Sequence, residues 1–179
     1  LVRSANYQGE ELFSPGERFA LAAPLNFVAS LMVLSYSLYR GCGSSYILSY
    51  STVKNPVALI KFLLLKRITL FFLTPTYARK FAGKTGPFLK KMAIGSEPAN
   101  NFYLKGVKSF NMYAQSESGV VTCMFVIDKE YDVCPVGKPQ FDMKYRVVDD
   151  DGNDVPVGEI GEFIFENPYV RGYINLPEE

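Results

Sequence analysis

Four side chains that could bind a nucleotide lie within the stretch NMYAQSES, residues 111–118. Tyr113 offers a flat aromatic face for a base, and Asn111 offers an amide for the edge of that base. Ser116 adds a hydroxyl group, and Glu117 adds a carboxylate that could hold Mg²⁺ beside a polyphosphate. Together these groups could bind a nucleotide and its metal ion.

The position of this stretch bears on whether it is a site or an ordinary polar loop. It follows a run that reads as a buried strand and precedes a second apolar run, VVTCMFVI. Loops at the carboxyl ends of parallel strands are where open α/β sheets bind ligands. The sequence GSE, residues 95–97, ends the preceding predicted strand, and we expect both loops at one edge of the sheet. On these residues alone, both interpretations remain open.

Strands and helices alternate along residues 18–113, and this alternation predicts a largely parallel sheet flanked by helices. Unbroken apolar runs such as TLFFL fit strands that are buried on both faces. The predicted strands are residues 18–24, 44–50, 68–73, 89–95 and 107–113. The predicted helices are residues 26–41, 55–66, 74–82 and 98–106. The Gly-rich residues 40–45 come between a helix and a strand, which predicts a connecting turn because phosphate loops run from strand to helix.

After residue 119 the pattern changes to shorter apolar runs separated by Pro, Gly and Asp. The sequence DDDGND, residues 149–154, is typical of a hairpin turn. We therefore predict an α/β subdomain, residues 1–119, and a β-rich, partial barrel-like subdomain with antiparallel pairing, residues 120–179.

The composition favours an ordinary folded protein. Hydrophobic residues make up 48% of the 179, and the net charge of +1 gives no reason to expect nucleic acid or an anionic membrane as a partner. The absence of histidine excludes Ser-His-Asp catalysis, Cys-His catalysis and histidine-ligated zinc within this chain. Cys42, Cys123 and Cys134 form no C-x-x-C pair, which predicts reduced, mostly buried thiols in a cytoplasmic protein.

One apolar stretch, residues 57–75, is almost long enough to span a membrane. Lys61, Lys66 and Arg67 interrupt it, and charges in the middle of a span are costly. The stretch therefore predicts a helix followed by a buried strand and no membrane span.

Several motifs resemble those of the adenylate-forming enzymes, which include acyl- and aryl-CoA synthetases and the adenylation domains of nonribosomal peptide synthetases. Residues 111–117, NMYAQSE, resemble the motif N-x-Y-G-P-T-E, and residues 89–97, LKKMAIGSE, resemble L-K-x-x-x-x-G-G-E. ITLFFLTPTY resembles I-T-x-x-x-x-x-P-T-x, and the sequence from residue 135 resembles the run P-x-G-x-P, G-E-L, A-R-G-Y and N-x-P-E. The resemblance covers about residues 19–179, and the shared order of the motifs makes it more specific than any single one.

The resemblance implies ATP or AMP and Mg²⁺ as cofactors, and it implies roles for the matched residues. Tyr113 would stack on adenine, and Asn111 would contact the edge of the base. Ser116 would touch the α-phosphate and Glu117 would hold Mg²⁺, which makes these two the candidate catalytic residues. The residues expected around the nucleotide are Gly95, Ser96, Glu97, Asn111, Met112 and Tyr113.

The resemblance also implies a reaction. The family joins a carboxylic acid to ATP, releases pyrophosphate, and passes the acyl group from the acyl-adenylate to a thiol. The implied function is an ATP-dependent acid–thiol ligase, with CoA or the phosphopantetheine of a carrier protein as acceptor. The sequence contains no T-S-G-T-T-G-x-P-K-G phosphate loop and no Y-R-T-G-D motif. We therefore expect the chain to be a central piece that is inactive alone.

Three departures from the motifs leave a second interpretation open. Ala114 stands where the family has Gly, Gln115 where it has Pro, and Ser96 where it has the second Gly of G-G-E. These differences fit a degenerate, non-catalytic adenylation-like interaction module. A third interpretation, an unrelated α/β nucleotide-binding protein, is disfavoured by the order of the motifs.

The matched acyl pocket is apolar. Members that activate amino acids carry an F-D-x-S motif whose Asp grips the α-ammonium group, and Val28 takes the place of that Asp here. Burying an unpaired ammonium group against apolar residues is unfavourable, so we expect an aryl, fatty or keto acid without an α-amino group. The same positions would equally suit an ordinary core. They are Val28, Ala29, Met32, Phe72, Met92, Ile94, Met112, Val120 and Val121.

Overall fold

A seven-stranded sheet with strand order β2-β1-β3-β4-β5-β6-β7 forms the centre of the protein. The computed structural model describes residues 12–81, 83–119, 121–140 and 143–166. The strands are β1 Arg18–Leu21, β2 Ser44–Ile47, β3 Leu70–Leu73, β4 Lys91–Gly95, β5 Lys108–Ala114, β6 Val121–Ile127 and β7 Lys138–Pro139. Strands β1 to β5 pair in parallel, whereas β6 pairs antiparallel with β5, and β7 pairs antiparallel with β6. The predicted, largely parallel sheet is therefore confirmed.

Four helices lie wholly within the described residues: α1 Val28–Tyr39, α2 Tyr50–Lys54, α3 Pro56–Leu65 and α4 Pro75–Phe81. Asn55 separates α2 from α3, and its Oδ1 accepts hydrogen bonds from the backbone N of Val57 and Ala58, both at 3.1 Å. Pro56 follows at the first helical position, where its missing N–H is not needed. The predicted strand 44–50 was too long, because Ser49 caps α2 by accepting a hydrogen bond from the backbone N of Thr52. Within the described ranges, no helix has the length and apolarity that a membrane crossing requires.

Two apolar clusters cover the two faces of the sheet, because successive strand residues point to opposite faces. On the face that we call the α1 face, Met32 and Tyr36 of α1 pack with Phe72, Phe110 and Met112 of the strands. On the face that we call the α3 face, α3 packs with the alternate strand residues. That second cluster includes Leu59, Leu63, Phe71, Leu73, Met92, Ile94, Phe102 and Cys134.

The predicted helix at 98–106 is wrong, since these residues form turns and a loop. The backbone N of Asn101 donates a 2.7 Å hydrogen bond to the carbonyl oxygen of Tyr131, and Asn101 has a left-handed φ of 51°. Phe102 and Leu104 are nevertheless buried in the core. Hydrogen bonds to a distant segment thus replace those that a helix would make within itself.

Antiparallel pairing begins after residue 120, as predicted, and its first two strands belong to the same sheet as β5. A separate two-stranded ribbon follows, formed by β8, Lys144–Val148, and β9, Glu162–Glu166. The carboxylate of Asp149 accepts hydrogen bonds from the backbone N of residues 151 and 153 and so shapes the predicted hairpin-type turn, which is confirmed. The division into two subdomains at residue 120 remains a prediction.

The Gly-rich residues 40–45 connect α1 with β2, which confirms the predicted turn. All three cysteines are free thiols, and Cys123 and Cys134 are buried. Burial raises the pKa of the Cys42 thiol to about 11 and also raises the pKa of the other two thiols. These cysteines are therefore neutral packing residues at physiological pH.

Candidate nucleotide-binding edge

The carboxyl ends of β4 and β5 lie side by side. Gly95, the last residue of β4, pairs with Met112, and Ile94 pairs with Asn111. The loops that follow these strands therefore begin at the same edge of the sheet, as the sequence predicted. This arrangement brings the stretches 95–97 and 111–117 together.

The glycine at position 95 is required by a close backbone contact. A Cβ atom at Gly95 would lie 2.6 Å from the carbonyl oxygen of Met112, which is closer than real Cβ contacts. The next residue, Ser96, has φ of 73°, in the left-handed region that glycine adopts most easily. These two observations explain why the family motif G-G-E has glycine at both positions. Ser96, at the second of them, adopts a strained backbone conformation.

Glu97 connects this loop to α4. Its Oε2 accepts hydrogen bonds from the backbone N of Thr76, at 3.1 Å, and from the Thr76 hydroxyl group. These hydrogen bonds, with a smaller contribution from the nearby Arg79, lower the pKa of the Glu97 carboxyl group. Glu97 therefore stays ionised near neutral pH and fixes the loop, which leaves its backbone as the part that can line a ligand.

Strand β5 presents different chemistry on its two faces. Asn111 and Tyr113 point to the α3 face, whereas Met112 between them belongs to the apolar cluster of the α1 face. Asn111 is 5% exposed, and its Nδ2 donates a 2.9 Å hydrogen bond to the carbonyl oxygen of Pro135. Tyr113 is half-buried and its hydroxyl accepts a 3.0 Å hydrogen bond from Nε2 of Gln115. Gln115, which stands where the family motif has Pro, thus restrains Tyr113, the predicted stacking residue.

The turn between β5 and β6 exposes the two candidate catalytic residues. Ser116 and Glu117 are exposed, and the backbone N of Gly119 closes the turn by donating to the carbonyl oxygen of Ser116 at 3.2 Å. Ser118, which the sequence analysis did not single out, is buried and its hydroxyl donates to the carbonyl oxygen of Gln115 at 2.8 Å. The turn is therefore fixed from within, and it presents a hydroxyl and a carboxylate to solvent.

The structure brings together most, but not all, of the residues matched to the acyl pocket. On the α1 face, six of them share one apolar cluster: Val28, Ala29, Met32, Phe72, Met112 and Val121. Met92 and Ile94 lie on the α3 face instead, because the alternation of β4 directs them away from Met112. Ala93 takes the place beside Phe72 on the α1 face, and the period of two along β4 could have identified it. Val120 lies outside the described residues.

Comparison with known proteins agrees with this geometry. The family model described as AMP-binding enzyme matches residues 1–174. D-alanine--D-alanyl carrier protein ligase of Bacillus velezensis is 26% identical over 90% of this chain and 36% of its own length. Nonribosomal peptide synthetase opaA of Aspergillus ustus is 30% identical over 90% of this chain and 4% of its own length. The chain thus spans about a third of the length of the first relative and a small part of the length of the second.

A solved structure shares the fold. The crystal structure of CmiS6 matches 99% of this chain and 46% of its own chain, with a TM-score of 0.83 and 21% sequence identity. The sheet and helices described above therefore recur within a larger protein.

Substitutions at positions 95 and 96 should change stability in opposite directions. Gly95→Ala should lower the free energy of unfolding by about 1–3 kcal/mol, because the new Cβ overlaps the Met112 carbonyl oxygen. Ser96→Gly should raise it by about 0.5–1 kcal/mol, because glycine adopts the positive φ without the steric cost. Denaturant unfolding of the intact protein that contains this chain measures both effects.

The matched control is Ser35→Gly in the middle of α1, which should lower the free energy of unfolding by about 0.5–1 kcal/mol. A Ser96→Gly variant that is no more stable than the wild type would show that the left-handed conformation carries no strain.

Proposed function

The chain belongs to the AMP-binding enzyme family, and from this premise we propose that it is the central part of an ATP-dependent adenylate-forming ligase. The proposed ligase activates a carboxylic acid as an acyl-adenylate and passes the acyl group to a thiol of CoA or of a carrier protein. It would act in the cytoplasm, where ATP and thiol acceptors are available. The main support for the proposal is that the two faces of β5 differ in chemistry. Asn111 and Tyr113 lie on one face, and the apolar Met112 lies on the other.

The edge formed by β4 and β5 suits the base of a nucleotide. The half-buried ring of Tyr113 is restrained at its hydroxyl by Gln115, so one orientation of the ring is favoured for stacking. Gly95 lets the backbones of β4 and β5 approach closely, and the loop that follows it is fixed through Glu97. A base held between an aromatic ring and a fixed backbone positions the α-phosphate for attack by the carboxylate of the acid.

The exposed turn after β5 suits phosphates and Mg²⁺. Among the described residues, no group of three or more His, Cys, Asp or Glu side chains could hold a metal ion. Mg²⁺ does not need such a group, because it keeps several waters and binds through one or two carboxylates and the phosphates of its substrate. The exposed Glu117 fits that role, and the Ser116 hydroxyl lies next to it in the sequence. When bound, the ion would neutralise charge on the phosphates during transfer.

The apolar cluster on the α1 face suits the acyl group. Val28 and Ala29 are partly exposed at the start of α1, while Phe72 and Met112 close the cluster from the sheet. No acidic residue lies in the first turn of α1, where an α-ammonium group would find its partner. The proposed substrate is therefore an aryl, fatty or keto acid, although one relative is named for D-alanine.

A second candidate function is a non-catalytic interaction module that keeps the fold. The three motif departures at residues 96, 114 and 115 favour it. Ser96 adopts a left-handed φ at a steric cost, and Gln115 contacts Tyr113. The departures at residues 96 and 115 are thus accommodated in the observed edge, and a module that keeps this edge could still bind a nucleotide. Acid-dependent ATP–pyrophosphate exchange by the intact protein separates the two functions, because a module that binds ATP without catalysis gives no exchange.

Replacement of Tyr113 tests the nucleotide site. In the intact protein, Tyr113→Ala should weaken ATP binding by about 1–3 kcal/mol, the usual scale for loss of an aromatic ring that stacks on a base. Tyr113→Phe is the matched control, since it keeps the ring and loses only the hydrogen bond with Gln115. Isothermal titration calorimetry measures both dissociation constants, and equal ATP affinities for the wild type and Tyr113→Ala would remove this residue from the site.

The choice of acid tests the pocket. Acid-dependent ATP–pyrophosphate exchange by the intact protein should be faster with phenylpropionate or a medium-chain fatty acid than with phenylalanine or leucine. The physical reason is that an apolar pocket distinguishes two apolar groups by only about 1–3 kcal/mol. It excludes a buried, unpaired ammonium group far more strongly. Val28→Asp supplies a partner for the ammonium group, and it should raise the relative rate with amino acids. An ordinary α-amino acid as the best substrate of the wild type would contradict the role given to Val28.

A further inference from the structure

The side-chain amide of Asn111 has a fixed orientation. Its Nδ2 lies 2.9 Å from the carbonyl oxygen of Pro135. A carbonyl oxygen only accepts hydrogen bonds, so the NH₂ group of the amide must be the side that faces Pro135. Oδ1 is then an acceptor on the other side of the amide, and no described residue donates a hydrogen bond to it.

The loop after β4 holds the Pro135 carbonyl in place. Oδ1 of Asn100 accepts a 2.9 Å hydrogen bond from the backbone N of Cys134, the residue that precedes Pro135. The backbone N of Asn101 donates to the carbonyl oxygen of Tyr131 at 2.7 Å. Pro135 has no N–H and cannot anchor itself by a backbone donor. The position of its carbonyl group therefore depends on the hydrogen bond between Asn100 and Cys134.

Helix α4 anchors the other end of this network. Nη2 of Arg79 donates hydrogen bonds to the carbonyl oxygens of Pro98, at 3.0 Å, and Asn100, at 2.6 Å. These bonds go to the backbone, so they are independent of the Asn100 side chain. A continuous line of hydrogen bonds thus runs from α4 to Asn111, on the face of β5 that also carries Tyr113.

We propose that Asn100 is a positioning residue that sets the base preference of the nucleotide site. By holding the segment Cys134–Pro135, it fixes Asn111 so that Oδ1 meets the base. Oδ1 accepts a hydrogen bond from the 6-amino group of adenine, whereas it opposes the 6-oxo group of hypoxanthine as a second acceptor. An amide free to rotate would offer its NH₂ group to the 6-oxo base and lose this preference. The inference rests on the proposed function, because that function assigns Asn111 to the base.

The test compares equilibrium binding of ATP and inosine triphosphate to the intact protein. We expect the wild type to bind ATP about tenfold more tightly than inosine triphosphate, the scale of one hydrogen bond. Asn100→Leu keeps the approximate shape of the side chain without an acceptor, and it should lower this ratio about threefold or more. Asn100→Asp keeps an oxygen for the Cys134 N–H and should retain the ratio.

Hydrogen exchange gives a second readout that needs no nucleotide. The backbone amide of Cys134 should exchange faster in Asn100→Leu than in the wild type, and the amide in Asn100→Asp should not. Asn100→Ala removes the same acceptor with a smaller side chain, and it replaces the Leu variant if that variant does not fold.

The outcomes separate the inference from the proposed function. An unchanged ratio of ATP to inosine triphosphate affinity in Asn100→Leu or Asn100→Ala overturns the inference. Loss of both affinities by the same factor also overturns it, because Asn100 would then support the fold alone. A wild-type protein that binds neither nucleotide contradicts the proposed function, and the inference falls with it.

Discussion

The pairing of β4 with β5 is the interaction on which the candidate site depends. Their parallel register places Gly95 against Met112, and the backbones approach so closely that no side chain fits at Gly95. This contact brings two loops to one edge of the sheet, where neither would form a site alone. It also fixes which face each residue of β5 occupies, because a shift of one residue would exchange the faces. The amide and the ring would then face α1, and Met112 would face α3.

Hydrogen bonds from outside the sheet hold the loop after β4 and the strand β5 that leads into the second loop. Glu97 connects the first loop to α4 through Thr76, and Asn111 connects β5 to the segment around Pro135. Both connections use polar side chains with identified partners, so the edge is fixed before any ligand binds. An edge that is already ordered loses less conformational entropy on binding, which favours affinity.

Much of this arrangement could be predicted from the sequence. The alternation of apolar runs and turn signals predicted the parallel sheet, and the ends of β4 and β5 identified the edge. The helix at 98–106 could not be rejected, because its backbone partners, such as Tyr131, lie far away in the sequence. The matched pocket placed Met92 with Met112, whereas the alternation of β4 puts Ala93 on that face. The hydrogen bond of Asn100 with Cys134 could not be predicted either, because the two residues are 34 positions apart in the sequence.

In the proposed ligase, the two faces of β5 separate the nucleotide from the acyl group. A crystal structure of the intact protein with a non-hydrolysable acyl-adenylate analogue would test this separation. We expect adenine against Tyr113 and Asn111 on the α3 face, and the acyl group beside Met112 and Phe72 on the α1 face. Adenine bound away from Tyr113, or an acyl group on the same face as the base, would contradict this expectation.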